Sequence, residues 1–124
     1  MLSEAKRPAT AQRRRVLFLE AAEIIEAEYY GRISLDEVAR RVATSRRQLQ
    51  RAFAEAGETS FRAHLQRVRM DRAAELLRDG RVPVSAVAGA VGYRQAAQFA
   101  KAFRRHHGAA PSSFRATVRE PLAA

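Results

Sequence analysis

Apolar residues along this chain recur at steps of three and four, and strand-like alternation is almost absent, so the pattern predicts a succession of helices. From about Ala11 to Tyr30, Phe18, Ala21, Ala22, Ile25 and Tyr29 share one face, and Gly31 ends the run. Ser34-Leu35-Asp36-Glu37 has the form of a capping box, with Ser34 as N-cap and Glu37 reaching back to it. A short helix to about Val42 follows. Thr44-Ser45 offers a new cap, and the next helix carries Leu49 and Phe53 inward until Gly57.

Thr59-Ser60 opens the longest element, which runs to about Arg78 before Gly80. Phe61, Leu65, Val68 and Leu76 form one stripe, with Met70, Ala73, Ala74 and Leu77 beside it. Two stripes predict a helix buried on more than one side, a central strut of roughly 30 Å at 1.5 Å per residue. After Pro83 a short helix holds Val87, Ala88 and Val91, followed by Gly92-Tyr93. Another begins near Gln95, buries Phe99 and Phe103, and stops at Gly108; Pro111 can start a last turn through Phe114. The expected fold is all-α, with about seven helices.

These elements contain a duplication. Val38-Ala39-x-x-Val42 followed by Ser45, Leu49 and Phe53 matches Val87-Ala88-x-x-Val91 followed by Phe99 and Phe103. Each copy is a short helix, a tight turn and a second helix with apolar residues four apart, the pattern of a helix-turn-helix. The second turn carries one extra residue. Ala39 and Ala88 are small where two helices must cross, and Phe53 and Phe103 would anchor the second helices to a shared core.

Charge adds a partner to this picture. The 124 residues hold 23 Lys plus Arg against 13 Asp plus Glu, a net charge of +10, which favours a polyanion: nucleic acid or an acidic membrane surface. With no Cys, a disulfide scaffold, a zinc finger and a thiol nucleophile are excluded. The apolar run after Arg13-Arg14-Arg15 is broken by Glu20, Glu23, Glu26 and Glu28, so neither a signal peptide nor a membrane span is expected. Cytoplasmic location and no membrane partner follow as expectations. No phosphate loop, HExxH or Ser-His-Asp context is present, so no enzyme activity and no cofactor are expected.

The second helices of the repeat supply the candidate chemistry. Arg46, Arg47, Gln48, Gln50 and Arg51 surround Leu49, and Arg94, Gln95, Gln98 and Lys101 surround Phe99. Arg and Gln can pair with guanine and adenine edges in the major groove, and both stretches lack the acids that phosphate would repel. A solvated face in an Arg-rich chain is the plainer reading, and the repeat plus the charge weigh against it.

The residues from about Ile33 to Arg115 resemble the DNA-binding domain of the AraC/XylS family of bacterial transcription regulators. Val91-Gly92-Tyr93, Phe99, Phe103-Arg104-Arg105, Gly108, Pro111 and Phe114-Arg115 carry the resemblance, with Arg69, Ala73, Leu76 and Leu77 matching the linker helix and Leu49-Gln50-Arg51-x-Phe53 the first recognition helix. The resemblance implies two helix-turn-helix subdomains joined by the long helix and two recognition helices in successive major grooves. Residues 1–10 would be a flexible N-terminus, 11–57 the first subdomain, 58–80 the linker helix, 81–118 the second subdomain and 119–124 a tail. Base contacts would fall on Arg46, Arg47, Gln50 and Arg51, then on Gln95, Ala96, Gln98 and Lys101. Ser45, Gln48 and Arg94 complete the DNA-facing set. Ala96, Ala97 and Ala100 depart from the family's polar run and offer only methyl groups, so the second helix is expected mainly to hold phosphates.

The chain also resembles the short stand-alone members of that family, which act as monomers; a domain cut from a longer regulator would look the same. The leading expectation is a sequence-specific double-stranded DNA binder that activates transcription. A non-specific nucleic-acid coat and a protein-interaction module that kept the fold are the alternatives. Arg13, Arg14 and Arg15 could grip a phosphate, although a charged helix start is commoner. The acidic run of the first helix could face RNA polymerase, or be its solvated side. His64 is expected to be structural. His106 and His107 suit a helix C-terminus and have no carboxylate at ligand spacing, so no metal site is expected.

Overall fold

A computed structural model describes residues 8–119. Among the described residues the chain forms seven α-helices and no strand: α1 (Pro8–Glu28), α2 (Leu35–Arg41), α3 (Arg46–Ala56), α4 (Phe61–Arg78), α5 (Val84–Ala90), α6 (Ala96–His107) and α7 (Pro111–Arg119). The all-α expectation holds. Residues 8–10 of the segment expected to be a flexible N-terminus lie in α1, where a proline at the first helical position gives up a donor that has no partner there anyway. Residues 1–7 and 120–124 lie outside the described residues. No described helix is long and apolar enough to cross a membrane.

The described residues divide into two compact units, one of residues up to 28 with 33–65, the other of residues 29–32 with those from 66 on. In the first, α1 packs on α2 and α3. Ala21 and Ile25 of the expected face are fully buried, joined by Leu17, while Phe18, Ala22 and Tyr29 are half-buried at its edge. Phe18 still reaches the core edge-on, 5.1 Å from the Phe53 ring. Phe53 is also met edge-on by Phe61 and His64, each at 5.7 Å. His64 is 7% exposed, which agrees with the structural role expected of it. Gly57 ends α3 against the Phe18 ring, where any Cβ would collide.

The second unit has a core of its own, so the expected shared core becomes two. Met70, Ala73, Ala74 and Leu77 of α4 close on Val87, Ala88, Val91, Phe99, Ala102 and Phe103. Leu76, expected on a buried stripe, is only half-buried. The last helix is longer than the single turn expected, because tertiary contacts hold it. Phe114 packs 5.3 Å from Phe103, and the Arg115 guanidinium donates to the carbonyls of Leu77 at 2.9 Å, Leu76 at 3.2 Å and Asp79 at 3.2 Å. Those are carbonyls at the end of α4 and just beyond it, which would otherwise lack helical partners. Arg69 does the same for the chain after α1: its Nε donates to Tyr29 O at 2.7 Å and its Nη2 to Gly31 O at 3.0 Å. Burial lowers the Arg69 pKa, and these carbonyls offset that desolvation.

The duplication is visible in the backbone. After α2, Thr44 N donates to Ala39 O at 2.9 Å and Ala43 N to Arg40 O at 3.1 Å; after α5, Tyr93 N donates to Ala88 O at 2.9 Å and Gly92 N to Gly89 O at 3.1 Å. Both turns are Schellman closures with a left-handed residue, Ala43 at φ 59° and Gly92 at φ 97°. The equivalence runs at a 49-residue offset. From α3 to α6 the offset is 50, pairing buried Leu49, Ala52 and Phe53 with buried Phe99, Ala102 and Phe103.

Candidate nucleic-acid interface

In each unit the second helix of the repeat buries three residues and leaves the opposite face open. On α3 that face is Arg46, Arg47, Gln50, Arg51 and Ala54, all exposed and spaced to share one side of a helix. Ser45 sets the start of the helix: its hydroxyl oxygen accepts from Gln48 N at 3.1 Å. Gln48 lies to the flank, where it lines an open groove with Arg13, Arg14, Leu17 and Thr44. Arg14 is held there by Glu55 at 2.6 Å. Arg46 has a partner that sequence spacing did not reveal, Asp36 of α2, at 2.9 Å. Both groups are 59% exposed, so a phosphate or base could exchange for the carboxylate at small cost.

The 50-residue register redraws the second site. Arg46, Arg47, Gln50, Arg51 and Ala54 correspond to Ala96, Ala97, Ala100, Lys101 and Arg104. Ala96 and Lys101 therefore sit on the outward face of α6. Gln98 corresponds to Gln48 and lies on the flank, Gln95 takes the N-cap position without a side-chain capping bond, and exposed Arg94 precedes it in the turn. Sequence reading missed Arg104, which extending the repeat by three residues would have found. It also missed Arg62, which shares a groove with Arg46 and Gln50 because α4 starts beside α3. Nothing in linear spacing signals that approach.

The histidines bring a second surprise. Asp71, 35 positions before His106 in the chain, stands beside His106 and His107, with one donor atom from each within 4.8 Å of the others. Only the packing of α4 against α6 supplies this carboxylate.

Two helix-turn-helix units, each with an exposed polar or basic second helix, define a nucleic-acid-binding class of protein. Residues 38–117 match the profile of the helix-turn-helix domain family, and the chain belongs to the AraC-type family of helix-turn-helix transcription regulators. It is 26% identical over 99 residues to the Msm operon regulatory protein of Streptococcus mutans, covering 80% of this chain and 36% of that protein. Among solved structures it is similar to an AraC-type transcriptional regulator of Chromobacterium violaceum, with a TM-score of 0.79, 28% identity and coverage of 86% of this chain and 95% of the other. The C-terminal domain of AraT, a response regulator from Geobacillus stearothermophilus, gives a TM-score of 0.77 at 29% identity, covering 81% and 84%. The chain spans between 20% and 38% of the length of the curated relatives it matches. Residues 38–117 are thus a DNA-binding domain of the helix-turn-helix transcription-regulator type.

Proposed function

We propose that this chain binds a specific double-stranded DNA sequence in the cytoplasm, as a monomer, and activates transcription. In this reading α3 and α6 enter successive major grooves. The observation that carries it is the outward face of α3. Arg46, Arg47, Gln50 and Arg51 are long donors on one helix side, opposite buried Leu49, Ala52 and Phe53. A mere solvated face would not need two copies of the same turn placing such helices outward. On α6 the matching positions hold three alanines, Lys101 and Arg104, so α6 adds mainly affinity through phosphates, and Ala96 can at most touch a thymine methyl. The groove of Arg13, Thr44 and Gln48 flanks α3 and suits a phosphate. Glu20 and Glu23, exposed on α1, are the side chains with which an activator could meet RNA polymerase.

The test is selection from a random duplex pool with the full chain, followed by footprinting on the enriched sequence. An asymmetric consensus and a discrete footprint are expected. Binding without enrichment would replace this reading with a non-specific coat, and no binding would leave the protein-interaction alternative standing in its place.

A further inference from the structure

We propose that Asp71, His106 and His107 form a site for a divalent transition-metal ion, best suited to Zn2+, that fastens α6 to α4. The Asp71 Oδ1 lies 3.6 Å from His106 Nε2 and 3.8 Å from His107 Nε2. These separations are too long for hydrogen bonds, which centre near 2.9 Å. They are close to the spacing of two donors on one ion, since tetrahedral zinc with bonds of about 2.0–2.2 Å sets its ligands roughly 3.4 Å apart. Two imidazoles and one carboxylate are a donor set that zinc takes, leaving its fourth position to water.

The ring packing of His107 is in place in advance, while the carbonyl of Met70 competes with a metal for its Nε2. The His107 ring is held 4.6 Å from Phe103 and 5.7 Å from Phe114, and its Nε2 lies 3.1 Å from the carbonyl of Met70. Coordination through that nitrogen puts the ring proton on Nδ1 and gives up any hydrogen bond to Met70. His106 and Asp71 are the adjustable members, with side chains 32% and 59% exposed. The three donor atoms lie within 4.8 Å of one another, and bringing them onto one ion falls to rotation of these two side chains. The chain contains three histidines and no cysteine, and His64 is buried among aromatic rings of the other unit. Competing zinc sites are therefore few.

The experiment uses the full chain, stripped of metal by chelation. Zn2+ is titrated by calorimetry, thermal unfolding is recorded with and without excess Zn2+, and Mg2+ serves as a comparison. One Zn2+ per chain and a melting temperature raised by several degrees are expected, with no effect of Mg2+. His106→Ala and Asp71→Asn, both at exposed positions, should each weaken Zn2+ binding at least about tenfold while melting like the parent in chelator. Absence of saturable binding, or binding that either variant leaves unchanged, overturns the proposal. Selective broadening or shift of the His106 and His107 ring signals, with His64 unmoved, is the independent readout, and a shift confined to His64 would also overturn it.

Discussion

At the scale of single residues, the two copies of the turn answer the same backbone demand differently. A side chain in the left-handed region costs roughly 1–2 kcal/mol, and Ala43 bears that strain at φ 59° where Gly92 does not at φ 97°. Ala43→Gly should therefore stabilise the chain, by about 0.5–1 kcal/mol once the added freedom of the unfolded glycine is set against it. Gly92→Ala should destabilise by at least about 1 kcal/mol, because its new Cβ would also stand 3.1 Å from the Arg69 guanidinium. Urea melts of both variants measure this, and the same sign for both would refute the equivalence of the turns. Asp79 is a second local case. The Arg81 side chain and its backbone N–H hydrogen-bond the carboxylate, lowering its pKa from 3.8 to about 2. A depressed carboxylate favours the folded state above its ordinary pKa, and this contribution fades as pH falls from about 4 towards 2. Arg81→Ala should return the Asp79 titration, followed by carboxyl NMR, towards 3.8. An unchanged midpoint would assign the shift elsewhere.

At the scale of elements, what was legible in the sequence is what is local. Ser34 and Ser45 cap their helices through the N–H three residues on, both at 3.1 Å, as the spacing of the residues already said. The return arm of the expected box is less clean: the Glu37 carboxylate lies 3.9 Å from Arg41, one turn along α2. Arg69 and Arg115 stood out only through the family resemblance, since their partners are carbonyls nearly forty residues away. Arg115→Ala should leave the end of α4 uncapped and cost about 1.5–3 kcal/mol, the range for hydrogen bonds to a charged group. A melting temperature unchanged from the parent would mean that water replaces it. The recognition helices show the other limit. Composition pointed to Gln95, Gln98 and Lys101 alike, while the register of α6 keeps Lys101 on the outward face, moves Gln98 to the flank and adds Arg104, because a helix face is set by what its opposite side buries. In our reading, Arg51→Ala costs about 1–3 kcal/mol and relaxes choice at one base, whereas Lys101→Ala weakens all sequences nearly evenly. Selection experiments on both variants decide it; the opposite pattern would reverse the roles of α3 and α6.

At the scale of the whole molecule, the net charge of +10 overstates what DNA can use. Arg69 and Arg115 are spent on backbone carbonyls, while Arg14 and Arg41 are closely paired with Glu55 and Glu28. Arg13, Arg46, Arg47, Arg51, Arg62, Arg94, Lys101 and Arg104 are the exposed cations on or beside α3 and α6, and if each meets one phosphate the slope of log affinity against log salt should be about −7, taking −0.9 per phosphate. A steeper slope would mean that arginines away from these two helices also meet phosphate. The outward faces of α3 and α6 differ at nearly every matched position, so in our reading the two halves of the DNA site should differ. A single chain should therefore occupy an asymmetric site, its halves about 10 bp apart on one face of the duplex. The two halves should also be unequal: scrambling the half that enriches most strongly should abolish selection, and scrambling the other should only lower affinity. Inserting about five base pairs between them turns the second half to the opposite face, and binding should drop to that of the stronger half alone. Mobility shifts with sedimentation give affinity and stoichiometry together. Tolerance of the insertion, or two chains on a palindrome, would show that the units do not read DNA as one asymmetric pair.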